Sequence, residues 1–140
     1  MTLDSAYIVI DTNVYISAAI LPHSKMAHLL ALAAKSFVFA QNDSTWEELI
    51  TRLQRKKFDR YLGEKGCIAY LSTLAQLVEF FPAKAQIQIS RDRSDDKFLG
   101  LAVDAHAKLI VSGDLDLQEI QTFQGIEILS PAHFLQRFAS

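Results

Sequence analysis

At 140 residues, half of them hydrophobic, the chain has the size of one ordinary domain, read here as 1–140, and enough apolar material to bury a core without disulfides or a structural metal. A formal net charge of −2 from 14 basic and 16 acidic residues excludes an overall basic field of the kind that recruits phosphate, so any nucleic-acid-binding surface is local. The lone Cys67 lies between apolar residues and reads as a buried, unreactive thiol in a reducing, cytoplasmic compartment; no secretion signal opens the chain, and no apolar stretch reaches the roughly 20 residues that span a bilayer.

Tyr7 to Ile10 is a continuous β-branched and aromatic run that ends in Asp11, the pattern of a strand buried on both faces of a parallel sheet. Ser24 to Lys35 has helical spacing, Phe37 to Ala40 reads as a second strand, and after the polar punctuation Gln41 to Ser44 a further helix runs from Thr45 to about Lys56. Glu64 to Leu77 is again helical, Val78 to Phe81 is a short strand ended by Pro82, and a polar connection leads to Arg91. Ser94 or Asp95 caps a helix through Phe98, Leu99, Ala102, Val103 and His106. The strand Leu109 to Ser112, a tight Gly113, a short helix near Leu115 to Ile120, the strand Ile126 to Leu129 and a helix after Pro131 complete the chain. Strand and helix alternate throughout, which argues for an α/β doubly wound sheet with right-handed crossovers.

In such folds ligands lie beyond the carboxyl ends of the strands, where strand order reverses. Asp11 ends the first strand, and Asp114 follows Leu109 to Ser112 by two residues, so neighbouring first and fourth strands would bring the two acids together. Two more acids can join from helix starts: one of Glu47 and Glu48, and one of Asp95 and Asp96. Four converging carboxylates repel one another unless protons or a cation neutralise them, and hard oxygen donors select Mg²⁺ or Mn²⁺. The reaction that matches is metal-assisted phosphodiester hydrolysis.

The residues that carry this pattern are IVIDTNVYIS at Ile8 to Ser17, Glu48 in TWEELITRLQRKKF, RSDDKFLGLA with Asp96, LIVSGDLDL with Asp114, and the tail IEILSPAHFL. Together, in this order and over nearly the whole chain, they resemble the PIN domain, in particular the branch of VapC-like toxins of toxin-antitoxin pairs. The resemblance implies a three-layer α/β/α fold around a mostly parallel sheet and a Mg²⁺- or Mn²⁺-dependent ribonuclease. Its acidic quartet would be Asp11, Glu48, Asp96 and Asp114, with Asp116 as a supporting ligand and Thr12, Asn13 and Ser112 orienting carboxylate, water or phosphate. It also implies RNA as substrate, an antitoxin protein as partner, and a homodimer.

Each feature has a plainer reading beside it. Asp11 could be a strand-end turn residue, and GDLD at Gly113 to Asp116 a turn with an N-capped helix. Ser44 with Glu47 and Thr45 with Glu48 both have capping-box spacing, and a helical wheel centred on Trp46, Leu49, Ile50 and Leu53 puts Glu47 nearer the buried stripe than Glu48. The cations Arg52, Arg55, Lys56, Lys57, Arg60, Arg91 and Arg93 could track an RNA backbone or form a solvated face, and Tyr15 could stack on a base or pack in the core. His23, His28, His106 and His133 lack paired metal-ligand spacing. A phosphatase built on a strand-end aspartate finds Asn13 where its second acid belongs, and a binding module that keeps the fold but not turnover is the remaining alternative.

Overall fold

The computed structural model describes residues 6–87 and 96–139. Among these, strands β1 (Ala6–Ile10), β2 (Phe37–Gln41), β3 (Val78–Phe80), β4 (Leu109–Val111), β5 (Thr122–Phe123) and β6 (Ile126–Leu129) form one sheet in the order β3-β2-β1-β4-β6-β5. All neighbours pair in parallel except β5, which runs antiparallel to β6.

The pleat divides the core in two. Ile8 and Ile10 face one side with Phe39, Leu109 and Val111, whereas Val9 faces the other with Ala40 and Ile110, so each central strand is apolar at every position because both its faces are covered. The first face carries α1 (Thr12–Ile20), α2 (Lys25–Ser36), α3 (Asp43–Leu53), α4 (Gly63–Ala75) and α7 (Pro131–Phe138), which contribute Tyr15, Leu29, Leu49, Cys67 and Phe134. The second face carries α5 (Asp96–Ala105) and α6 (Leu115–Ile120), through Leu99, Ala102 and Leu117. This is the three-layer α/β/α arrangement around a mostly parallel sheet. No single helix among the described residues is long and apolar enough to cross a membrane.

Four local features differ from the sequence reading. Helix α1 has no counterpart in the sequence reading, because Thr12, Val14, Tyr15, Ile16, Ala18 and Ala19 are all buried and leave no polar stripe to reveal the helical period. Helix α3 starts at Asp43 rather than Thr45 and ends at Leu53, followed by a single 3-10 turn at Lys56–Phe58. Its capping box is neither glutamate pairing: the Asn42 side chain accepts from the Thr45 amide at 2.9 Å, and Thr45 Oγ1 accepts from the Asn42 amide at 3.0 Å. The short β5 was also unread, two residues being too few to show alternation. The expected caps Ser94 and Asp95 lie outside the described residues, as do Arg91 and Arg93.

The chain lays β2 and β3 on one side of β1, then β4 and β6 on the other. The reversal of strand order therefore falls between β1 and β4, whose residues Val9 and Ile110, and Ile10 and Val111, are partners in register. A crevice opens at such a point.

Candidate active site

Asp11 leaves β1 directly at this reversal. Its amide donates to the Val111 carbonyl at 3.0 Å, which extends the β1–β4 ladder by one residue, and its carboxylate is then fixed from three sides. Oδ1 accepts from the Val14 amide at 3.0 Å, which makes Asp11 the N-cap of α1; Oδ2 accepts from the Ser112 hydroxyl and from the Gly113 amide at 3.1 Å. The acid is only 7 % exposed, and these donors offset what burial of its charge costs.

Ser112 is fully buried and joins two acids: its Oγ donates to Asp11 and accepts from the Asp114 amide at 3.0 Å. Asp114 in turn caps α6, its Oδ1 accepting from the Asp116 amide at 2.8 Å. The capping reading of the GDLD stretch thus holds, and the same turn also lies hydrogen-bonded against Asp11. Asp116 is half-buried in the first turn of α6.

Asp96 opens α5, on the same face of the sheet as α6; it is itself only 7 % exposed and lines a cavity of about 340 Å³ together with Asn42, Ser44 and Lys97. Glu48 projects from the middle of α3, half-buried, while Glu47 is exposed to solvent. The wheel erred because Trp46 is not the centre of the buried stripe. It sits half-buried against Phe80, whereas Thr45 is buried with Leu49 and Leu53, and this turns Glu48 inward.

Glu48 is already neutralised by cations of the chain itself. Its Oε2 is ion-paired with the ammonium of Lys97, and its Oε1 lies 3.2 Å from Nη2 of Arg52. The second guanidinium nitrogen of Arg52 donates to the Asn13 side chain at 3.1 Å. A chain of polar contacts therefore runs from Asn13 on α1 through Arg52 and Glu48 on α3 to Lys97 on α5. Burial holds the Lys97 ammonium below its ordinary pKa, and the ammonium also lies 5.5 Å from the centre of the Phe98 ring.

Beneath the acids is a buried polar layer of Thr12, Gln41, Asn42 and Thr45. Thr45 Oγ1 donates to Gln41, and Gln118 donates to the Ser112 carbonyl at 2.8 Å. Lys97 and Gln118 were not singled out in the sequence, Gln41 was read only as the start of a polar punctuation, and Thr45 only as a capping-box residue. Lys97 was visible as a cation directly after the Asp95–Asp96 pair, but its partner is 49 positions away, and no local spacing reports that. Tyr15 is 1 % exposed within the core, which removes it as a base-stacking residue. Arg52 is engaged with Glu48 and Asn13, while Arg55, Lys56 and Lys57 are exposed beyond the end of α3.

Among the described residues no three Asp, Glu, His or Cys side chains are gathered into a ready-made metal cage. The donor chemistry nevertheless fits a hard divalent ion, since the acids at this edge offer only carboxylate oxygens. The structure also places a cation of its own, the Lys97 ammonium, against one of them. Asp11, Glu48, Asp96 and Asp114 are the residues that could hold such an ion.

The sequence matches the PIN domain family over residues 7–116. It is 26 % identical to the uncharacterized protein MJ1680 of Methanocaldococcus jannaschii, across 94 % of this chain and 90 % of that protein. A chain of the VapBC2 structure from Rickettsia felis, determined bound to a DNA fragment from its promoter, superposes with a TM-score of 0.57 at 16 % identity, over 89 % of this chain and 98 % of that one. PAE2754 from Pyrobaculum aerophilum gives a TM-score of 0.48 at 14 % identity over 99 % of both chains. Because the family match runs through every strand-end and helix-start acid from Asp11 to Asp116, this chain belongs to the PIN domain family.

Proposed function

We propose that this PIN domain is a divalent-metal-dependent endoribonuclease that hydrolyses RNA phosphodiester bonds, and that it is the toxin of a toxin-antitoxin pair. The observation that carries the reading is the Ser112 bridge, which fastens Asp11 to the Asp114 turn at the point where strand order reverses. Its wider support is that PIN domains are generally nucleases, and that Asp96 and Glu48 approach the same edge of the sheet from helices on opposite faces.

With Mg²⁺ or Mn²⁺ bound, the ion would supply a nucleophilic water at neutral pH and offset the charge that builds on the phosphate oxygens during in-line displacement. Asp11, Glu48, Asp96 and Asp114 hold it in this reading, with Asp116 in support. The chain's own work is orientation: Ser112 and the Gly113 amide fix one oxygen of Asp11 and the Val14 amide fixes the other, and in this reading Thr12 and Asn13 orient carboxylate, water or phosphate. Arg55, Lys56 and Lys57, exposed after α3, offer phosphate contacts to a strand that continues past the site, and Arg91 and Arg93 are further candidates by sequence.

The partner reading draws on the Rickettsia felis likeness, a VapBC2 complex, and on an apolar groove of about 280 Å³ between α1, α2 and α4, lined by Ala18, Ala27, Leu30, Leu74 and Leu77. Such a groove suits apolar side chains of an antitoxin, and a homodimer remains the proposed state of the toxin.

The test is cleavage of a labelled single-stranded RNA, with a matched DNA, by purified protein in Mg²⁺, Mn²⁺ or EDTA, beside Asp11→Asn prepared identically. The expected result is RNA cutting that needs metal and falls about a hundredfold or more in the variant. RNA binding without cutting by either protein would replace this reading with a PIN-fold binding module.

A further inference from the structure

Every carboxylate at the candidate site is a potential ligand, and Glu48 carries a cation of the chain on each oxygen, Lys97 from α5 and Arg52 from its own helix. Arg52 sits one turn along α3 from Glu48 and is the ordinary helical partner for it. Lys97 is different: it comes from a helix on the other face of the sheet, its side chain is about three-quarters buried at 27 % exposure, and its chain neighbour is Asp96. An ammonium in that position occupies the same lone pairs that a divalent ion would use.

We infer that Lys97 is a built-in counter-cation for Glu48, and that a divalent ion enters the site by exchange, displacing the ammonium from the Glu48 carboxylate. The inference rests on the metal-dependent reading above. In the metal-free chain the ammonium neutralises Glu48 and spares the fold an uncompensated, partly buried charge. On loading, the carboxylate turns from Lys97 to the ion and the ammonium is freed beside Asp96. Metal affinity is then a difference between two cations, and the lysine sets the concentration at which the site fills.

The experiment is calorimetric titration of the full chain with Mn²⁺ alone, without RNA. Lys97→Met, which keeps the length of the side chain and removes its charge, is expected to tighten Mn²⁺ binding roughly three- to thirtyfold, while Lys97→Arg restores competition and returns affinity to near wild type. Removing any nearby positive charge favours a cation somewhat, so the decisive comparison is made in a Glu48→Gln background, where exchange predicts that Lys97→Met no longer tightens binding. Unchanged or weaker Mn²⁺ binding in Lys97→Met, with wild-type circular dichroism, would overturn the exchange, as would an equal gain with and without Glu48. Asp11→Asn separates the two levels of the argument: if it abolishes Mn²⁺ binding while Lys97→Met changes nothing, only the exchange fails; if it leaves Mn²⁺ binding untouched, the metal site itself fails.

Discussion

Ser112 shows how a single uncharged residue can govern a charged site. Its hydroxyl spends its hydrogen on Asp11 and its lone pair on the Asp114 amide, so Ser112→Ala leaves a buried carboxylate and a part-buried amide each one partner short. The expected outcome is a loss of about 1–3 kcal/mol in urea unfolding and a fall in metal affinity or cleavage of roughly 10- to 100-fold. A variant that lost stability alone would assign Ser112 to the fold and not to the chemistry. Residues of this kind were partly legible. Asp11, Ser112 and Asp114 announced themselves because a buried apolar run fixes where a strand ends, and the polar residue just past it has few other places to go. The preference for Glu48 over Glu47 came from the family resemblance and not from the helical wheel, because periodicity alone does not report which flank of α3 meets the sheet. The wheel placed Trp46 inward on hydrophobicity, whereas Trp46 lies half-buried against Phe80 and a threonine fills the interior. Lys97 was illegible for another reason: its role exists only across the gap between α3 and α5.

At the scale of elements, α3 depends on a cap that also belongs to the polar layer under the acids. Asn42→Ala removes the acceptor for the Thr45 amide and is expected to cost about 1 kcal/mol in a denaturant titration. Because Thr45 and Glu48 lie one turn apart on this helix, the same variant should also loosen the Glu48 carboxylate, read as weaker Mn²⁺ binding. The opposite end of the sheet offers a pH test. Hydrogen bonds from Arg137 on α7 hold the Glu127 carboxyl on β6 below its ordinary value of 4.5. A folded-state value below the unfolded one stabilises at pH above the ordinary carboxylate range and is lost as pH falls through the folded value. Both side chains are largely exposed, so the effect is small. Glu127→Gln should lower the urea midpoint slightly at pH 7 and leave it equal to wild type at pH 3. A gap that persisted at pH 3 would assign the loss to packing. Most elements were readable because central strands covered on both faces are apolar at every position and surface helices carry a stripe. Helix α1 was not, being buried almost all round, and β5 was too short to show a pattern.

For the whole molecule, both core clusters close around the sheet through side chains alone, so EDTA is expected to leave the thermal midpoint unchanged while abolishing cleavage. Mn²⁺ at a hundredfold excess over its Kd should add about 2.7 kcal/mol, seen as an upward shift in the melting curve that Asp11→Asn eliminates. A protein that unfolded in EDTA would contradict this division between scaffold and site. The fold class followed from strand-helix alternation, but the placement of the reversal between β1 and β4 needed the strand order, which no local pattern encodes. That order has one more effect, at the sheet's margins. The two outermost strands are stubs, three residues in β3 and two in β5, too short to serve as templates for a strand from another chain. Among the described residues the sheet is thereby poorly suited to edge-to-edge pairing with another chain.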